Sequence, residues 1–307
     1  MKRVAALDCG TNSIRLLIAE ENPGASTFTE ISRKMSIVKL GEGVDKSKAF
    51  LPDAISRTLV ALKVFAKEIT EAKVDQIRFC ATSATRDAQN RDDFLTPVAE
   101  ILGITPEVIS GDEETRLSFL GATQALSKND GPFLVIDIGG GSTEFVFGIE
   151  QVEAARSVNI GCVRMSERHF ANDPATPEQI ELARTDIQTA IAIAAAEVPI
   201  TKAKTLVAVA GTATTVAAAA LELAEYDRYA IHLARISAAQ VHDASAMFLK
   251  RNREERLALG YMHPGRVDVI GAGSLVLSEI MKATGATEFV ASESDILDGM
   301  ARSLVQG

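Results

Sequence analysis

The chain has 307 residues, 47% of them hydrophobic, enough for two domains of ordinary size that each bury a core. A formal net charge of −9 excludes the basic footprint of a general nucleic-acid binder, so a polyanionic ligand has to meet a local positive site. Cys9, Cys80 and Cys162 lack metal or redox spacing and read as small buried hydrophobes; neither a membrane span nor a signal core is apparent, and a cytoplasmic protein is expected.

From the N-terminus, Val4-Ala5-Ala6-Leu7 reads as a strand that ends at Asp8 and turns through Gly10, Thr11, Asn12 and Ser13 into a second apolar run over 14–19. Ile55, Leu59, Leu62, Phe65 and Ile69 recur at helical spacing, which predicts a helix over 52–72. A buried strand over 77–82 and a loop over 83–86, carrying Arg86, follow. Val108-Ile109-Ser110 then leads through Gly111 into Asp112-Glu113-Glu114, the acidic opening of a helix over 116–125. The turn-rich segment 129–132 closes the first domain, taken as 1–128.

A second domain over 129–294 opens on Leu134-Val135-Ile136-Asp137, turns through Gly139, Gly140, Gly141 and Ser142, and resumes as a strand over 145–149. Thr176-Pro177-Glu178-Gln179 has the form of a capping box with proline at the first helical position. A long Ala-rich helix is expected after it. Residues 205–209 read as a strand entering a Gly/Thr turn, with Gly211 and Thr212, that opens another helix. Ser237 to Gln240 marks a further helix start, 289–291 a short strand, and about 295–304 a last helix. Strands and helices alternate throughout, which gives an α/β or α+β chain. The Ala-rich stretches are too weakly apolar, and too interrupted by Thr and Glu222, to read as membrane spans.

The two hairpins are copies. Aligning Asp8 with Asp137 also aligns Gly10 with Gly139 and Ser13 with Ser142, an offset of 137 − 8 = 129 residues. Glycine lets successive backbone N–H groups converge on an anion, and the hydroxyls of Thr11, Ser13, Ser142 and Thr143 add donors, so each loop suits a phosphate. The aspartate before each turn would repel that phosphate unless a cation such as Mg²⁺ stood between them. Each feature also has a plainer reading. Glu113 and Glu114 open a helix, Arg86 is a surface ion-pair partner, Glu144 an exposed strand residue, Asp8 a turn cap, and the four histidines surface or capping residues.

With its motifs in place the chain resembles the exopolyphosphatase and guanosine pentaphosphate phosphohydrolase (Ppx/GppA) family of the actin-like, sugar kinase and Hsp70 superfamily. The resemblance runs nearly end to end. It rests on residues 6–13 with Arg15, 81–86, 109–116, 135–144 and 210–212. It implies two ribonuclease-H-like domains flanking a cleft that holds the active site, with a C-terminal helix over about 295–307 returning to the first domain.

It also implies Mg²⁺ dependence, with Mn²⁺ as a possible substitute. By motif, Glu114 becomes the general base and Arg86 a phosphate-binding cation. Asp137 and Glu144, with Asp8, become the metal-site acids. Thr11, Asn12, Ser13, Arg15, Gly139, Gly140, Gly141, Ser142, Gly211 and Thr212 line the phosphate path. The expected partners are polyphosphate or guanosine pentaphosphate, with no nucleic acid and no membrane, in a homodimer. The chain lacks the further C-terminal helical domains of longer members and is read as a short form.

The expected reaction is in-line attack of water on the terminal phosphorus, with polyphosphate ranked ahead of guanosine pentaphosphate. A kinase of the same superfamily needs an acceptor that a water-activating Glu114 makes unnecessary. A non-catalytic sensor would have no use for the full set of carboxylates.

Overall fold

The computed structural model describes residues 2–22 and 28–306. Met1 and Gly307, the outer ends assigned to the first domain, lie outside the described residues. The chain divides into two compact units, 1–121 with 296–307, and 122–295.

In the first unit, β1 (Arg3–Cys9), β2 (Ser13–Glu21) and β3 (Phe28–Ile37) form an antiparallel meander. Three helices follow in sequence or intervene before the next strand pair is complete: α1 (Val44–Ser47), α2 (Pro52–Glu71) and, after β4 (Gln76–Ala81), α3 (Ser83–Asp87). Then come α4 (Asp92–Leu102), β5 (Glu107–Val108) and α5 (Gly111–Thr123). β4 and β5 add in parallel on the far side of β1, which gives the order β3-β2-β1-β4-β5. α2 opens on Pro52 and buries Leu62, Phe65 and Ile69 on one face, while Val60 and Val64 stay exposed on the other. That stripe follows from the 3.6-residue period. It packs with α4 over Leu7, Leu16 and Phe79 of the sheet. Each fully buried large side chain there contributes on the order of 1.5–3 kcal/mol.

The second unit repeats the scheme with β6 (Phe133–Ile138), β7 (Thr143–Gly148) and β8 (Val152–Val158) as the meander. After it run α6 (Cys162–His169), α7 (Pro177–Glu197), β9 (Thr205–Val209), α8 (Ala210–Ala220), α9 (Arg228–Ile231), β10 (Arg235–Ser237), α10 (Ala238–Lys250), α11 (Arg253–Leu257), α12 (Ile270–Thr284) and β11 (Glu288–Ala291). The sheet order is β10-β11-β9-β6-β7-β8, which is the order of the first sheet with one extra edge strand. The expected capping boxes at Thr176 and Ser237 are both formed, and Asn252 with Glu255 makes a third. The last helix, α13 (Ile296–Gln306), belongs to the first unit, where Ile296, Leu297, Met300 and Ala301 cover Val4, Ala6 and Leu17 on the sheet face opposite α2.

Two local expectations are corrected. Residues 83–86 form the start of α3 and not a loop, because Thr85 and Arg86 both donate to Thr82 O and Ala88 donates to Ala84 O. The turn expected at 210–215 is compressed to one residue. Ala210 takes left-handed backbone at φ 66 and α8 begins there, directly off β9. For an alanine that conformation costs roughly 1–2 kcal/mol.

Candidate active site

The two Gly loops share one hydrogen bond. Gly10 N donates to Ser13 O and Gly139 N to Ser142 O, each at 3.0 Å. Both loops are also tied from behind by the segment after the third meander strand. In the first unit, Val38 N and Lys39 N reach Asn12 O at 3.0 and 2.9 Å, and Gly41 N reaches Thr11 O at 2.8 Å. In the second, Cys162 N reaches Gly139 O at 2.9 Å, Val163 N and Arg164 N reach Gly140 O at 2.9 and 3.1 Å, and Gly161 N reaches Gly141 O at 3.2 Å. A planar trans peptide points its C=O and the next N–H in opposite directions. Holding the carbonyls of Gly139, Gly140 and Gly141 therefore turns the amides of Gly140, Gly141 and Ser142 the other way, as a row of donors.

The approach behind each loop is tight. A methyl on Gly161 would stand 2.3 Å from Gly140 C and O, and one on Gly41 would stand 2.3 Å from Thr11 Cγ2. Thr11 Oγ1 lies buried and meets no hydrogen-bond partner among the described residues.

Beside the second loop, β6–β7 register places Asp137 directly opposite Glu144, so the two carboxylates share one sheet face. Asp137 is 7% and Glu144 1% exposed. That burial sets aside the reading of Glu144 as an exposed strand residue. Its Oε1 accepts from Ser142 Oγ at 2.7 Å and from Ser157 Oγ at 2.8 Å, while Phe145 and Phe147 point into the core, as alternation requires. Among the described residues no group of three or more His, Cys, Asp or Glu is gathered to hold a metal ion. Two opposed, buried carboxylates are nonetheless a hard-oxygen donor set. They fit Mg²⁺, which takes one or two carboxylates and fills its octahedron with water and phosphate oxygens.

In the first unit, β1–β2 register sets Asp8 opposite Arg15, and Arg15 donates through Nε at 3.0 Å and Nη2 at 2.7 Å to Asp8 Oδ2. The two side chains expected to face metal and substrate thus hold each other. Arg86, from α3, donates through Nη1 to Glu114 Oε2 at 2.7 Å and to Ile109 O at 3.0 Å. Glu114 lies in the first turn of α5 and is 8% exposed. Its neighbour Glu113 turns elsewhere, to Arg116 at 2.8 Å and Arg78 at 3.2 Å. The hydrogen bond from Arg116 leads the influences that hold the Glu113 carboxyl below its ordinary value, with burial opposing them. The plain acidic-helix-start reading suits Glu113, whereas Glu114 is committed to Arg86.

At the start of α8, Arg266 donates to Thr215 Oγ1 at 3.2 Å, and its guanidinium carbon would be 2.6 Å from a methyl on Gly211. With glycine at 211 the cation packs directly against the start of the helix. Thr212 is buried and its side chain packs against Gly273 of α12.

A family model described as the Ppx/GppA phosphatase family matches residues 17–306. The chain belongs to the Ppx/GppA phosphatase family. It is 43% identical to exopolyphosphatase 2 of Mycobacterium tuberculosis over 99% of both chains. Among solved structures it is similar to an exopolyphosphatase-like protein, with TM-score 0.94, 42% identity and 99% of each chain covered. The Ppx/GppA family member of Aquifex aeolicus matches with TM-score 0.81 and 30% identity over 99% of this chain and 98% of that one.

Within this family member, sequence reasoning passed over the segments behind the loops. Gly41, Gly161 and Arg164 fix loop conformation through backbone contacts, which motif residues do not advertise. The signal available was a glycine placed shortly after each third meander strand. Arg266 belongs to none of the sequence motifs, and its position over Gly211 brings it to the α8 terminus. The histidines are engaged in hydrogen bonds: His169 meets Asp186 at 2.9 Å, His242 meets Ser278 at 2.9 Å, and His232 and His263 accept from the backbone N–H of Glu293 and Gly265.

Proposed function

We propose that the protein is an exopolyphosphatase that releases terminal inorganic phosphate from polyphosphate. The observation that carries this reading is the duplicated loop: two turns with the same internal hydrogen bond, each with its carbonyls tied back and each able to offer a row of amides to a phosphate. The full-length similarity to a protein named exopolyphosphatase 2 supports polyphosphate over guanosine pentaphosphate.

In this reading Glu114 takes a proton from water as the oxygen attacks the terminal phosphorus, and the bridging P–O bond breaks to leave a chain one phosphate shorter. Arg86 orients Glu114 through Oε2 and offers its other donors to phosphate oxygens. The amides of Gly140, Gly141 and Ser142, and those of Asn12 and Ser13, hold phosphate oxygens. Thr11 Oγ1 adds a donor, Arg15 a cation steadied by Asp8, and Gly211 with Thr212 a further helix terminus, where Arg266 adds positive charge. Asp137 and Glu144 would hold a divalent cation, Mg²⁺ or Mn²⁺, which when bound offsets phosphate charge. A homodimer in the cytoplasm remains part of the proposal.

The test is phosphate release from polyphosphate and from guanosine pentaphosphate, each with Mg²⁺ and with EDTA. Release from polyphosphate that stops on chelation is expected. Turnover of the nucleotide with none of polyphosphate would reverse the substrate.

A further inference from the structure

Arg164 is the charged side chain among the supports behind the second loop. It lies in the first turn of α6 and is 6% exposed, unusual for an arginine. Its Nε donates to Gly141 O at 2.6 Å, while its own backbone N donates to Gly140 O at 3.1 Å. Side chain and main chain of one residue thus hold two consecutive carbonyls of the Gly loop. A cation buried at this point costs desolvation that a simple packing residue would avoid, so its placement against the loop calls for a reason.

We propose that Arg164 is a positioning residue for phosphate binding. By holding Gly141 O to the rear it keeps the Ser142 amide, on the other side of the same peptide plane, facing the anion. Gly141 O already accepts from Gly161 N, but at 3.2 Å, the longest of the rear bonds; the shorter Nε bond is the one that fixes the plane. The side chain acts through the loop and need not touch substrate. The inference rests on the reading of 139–142 as a phosphate loop.

Chain length along the side chain makes the test specific. Methionine places a methyl where Arg164 has Nε, and glutamine places an amide N–H there without the charge. Arg164→Met is expected to lower kcat/KM for polyphosphate on the order of 10- to 100-fold, the cost of depriving the buried Gly141 carbonyl of its shorter donor, with KM raised as well as kcat lowered. Arg164→Gln is expected to stay close to wild type. A loss of folded protein alone would lower kcat and leave KM unmoved. Backbone ¹⁵N resonances of Gly140, Gly141 and Ser142, followed during tripolyphosphate titration, give a readout that does not depend on turnover. Wild type and Arg164→Gln should shift together and Arg164→Met only at higher ligand.

Wild-type behaviour of Arg164→Met, or equal impairment of the Met and Gln variants, overturns the proposal. If Arg164→Met does not fold, the Gln variant decides: retained kcat/KM supports the positioning role, and a folded Gln variant with lost affinity refutes it. If wild-type loop resonances do not respond to tripolyphosphate, the phosphate-loop reading itself has failed, a result distinct from either outcome for Arg164.

Discussion

Replacing Gly161 by alanine isolates the rear support of the second loop. The backbone of Gly161, at φ −78 and ψ 161, is one that alanine adopts freely, so the substitution carries no conformational penalty. Its cost is steric. The new methyl would lie 2.3 Å from Gly140 C and O and 2.4 Å from Gly141 N, all of them backbone atoms that cannot swing aside. Restoring an ordinary contact near 3.4 Å requires the loop or the start of α6 to retreat by 3.4 − 2.3, about 1 Å. Overpacking of that kind costs roughly 1–3 kcal/mol of stability. A displacement of about 1 Å at groups that position substrate costs on the order of 100-fold in rate. Polyphosphate hydrolysis and thermal unfolding on the same preparation measure both. Gly10→Ala is the steric control, since its methyl meets nothing closer than 3.8 Å and stability should hold or rise by about 0.4–1 kcal/mol. Full activity in a folded Gly161→Ala variant would refute the claim that the rear contacts fix the loop.

Three further outcomes follow from the second unit and the buried thiols. Glu279 of α12 is buried and meets Arg184, Gln188 and Lys282. Glu279→Ala, which leaves those partners behind, should cost about 2–4 kcal/mol in denaturant unfolding. Burial opposes ionisation of this carboxyl, but bonds from Lys282 and Gln188 and the charges of Lys282 and Arg184 outweigh it and hold the group below its ordinary 4.5. A depressed folded value means the contribution is complete above pH 4.5 and fades as pH falls through the folded value, a slope that Glu279→Gln should remove. Burial raises the thiol of Cys162 to about 11 and that of Cys80 to about 12, and Cys9 well above its ordinary value. A thiol reagent at pH 8 should therefore find none of the three cysteines in native protein and all of them in denaturant; rapid labelling without unfolding would contradict this burial.

The hairpin repeat was legible because both of its signals are local: strand-type apolar runs and a glycine turn in fixed register. The caps at Thr176 and Ser237 were legible for the same reason. The third strand of each meander was not. β3 is an edge strand whose Glu30, Arg33 and Lys34 break the apolar pattern, and it passes for a charged loop. α3 is too short for any period to show, and its first turn is fixed by Thr82 O and not by a capping side chain.

In the site, strand alternation alone puts Ser142 and Glu144 on one sheet face. The pairing of Arg86 with Glu114 joins residues 28 apart, a separation that no local sequence pattern spans. The mutual grip of Asp8 and Arg15 is decided by cross-strand register, which a motif of single residues does not record. The supports at Gly41, Gly161 and Arg164 act on backbone carbonyls, and no side-chain motif records such a contact.

In the proposed reaction Glu114, held by Arg86, activates water for attack on polyphosphate. Glu114→Gln keeps a hydrogen-bonding group against Arg86 while removing the proton acceptor. Steady-state phosphate release from polyphosphate with Mg²⁺ should show kcat lowered on the order of 10²- to 10⁴-fold with tripolyphosphate binding retained. Undiminished turnover by a folded Glu114→Gln protein would contradict the account.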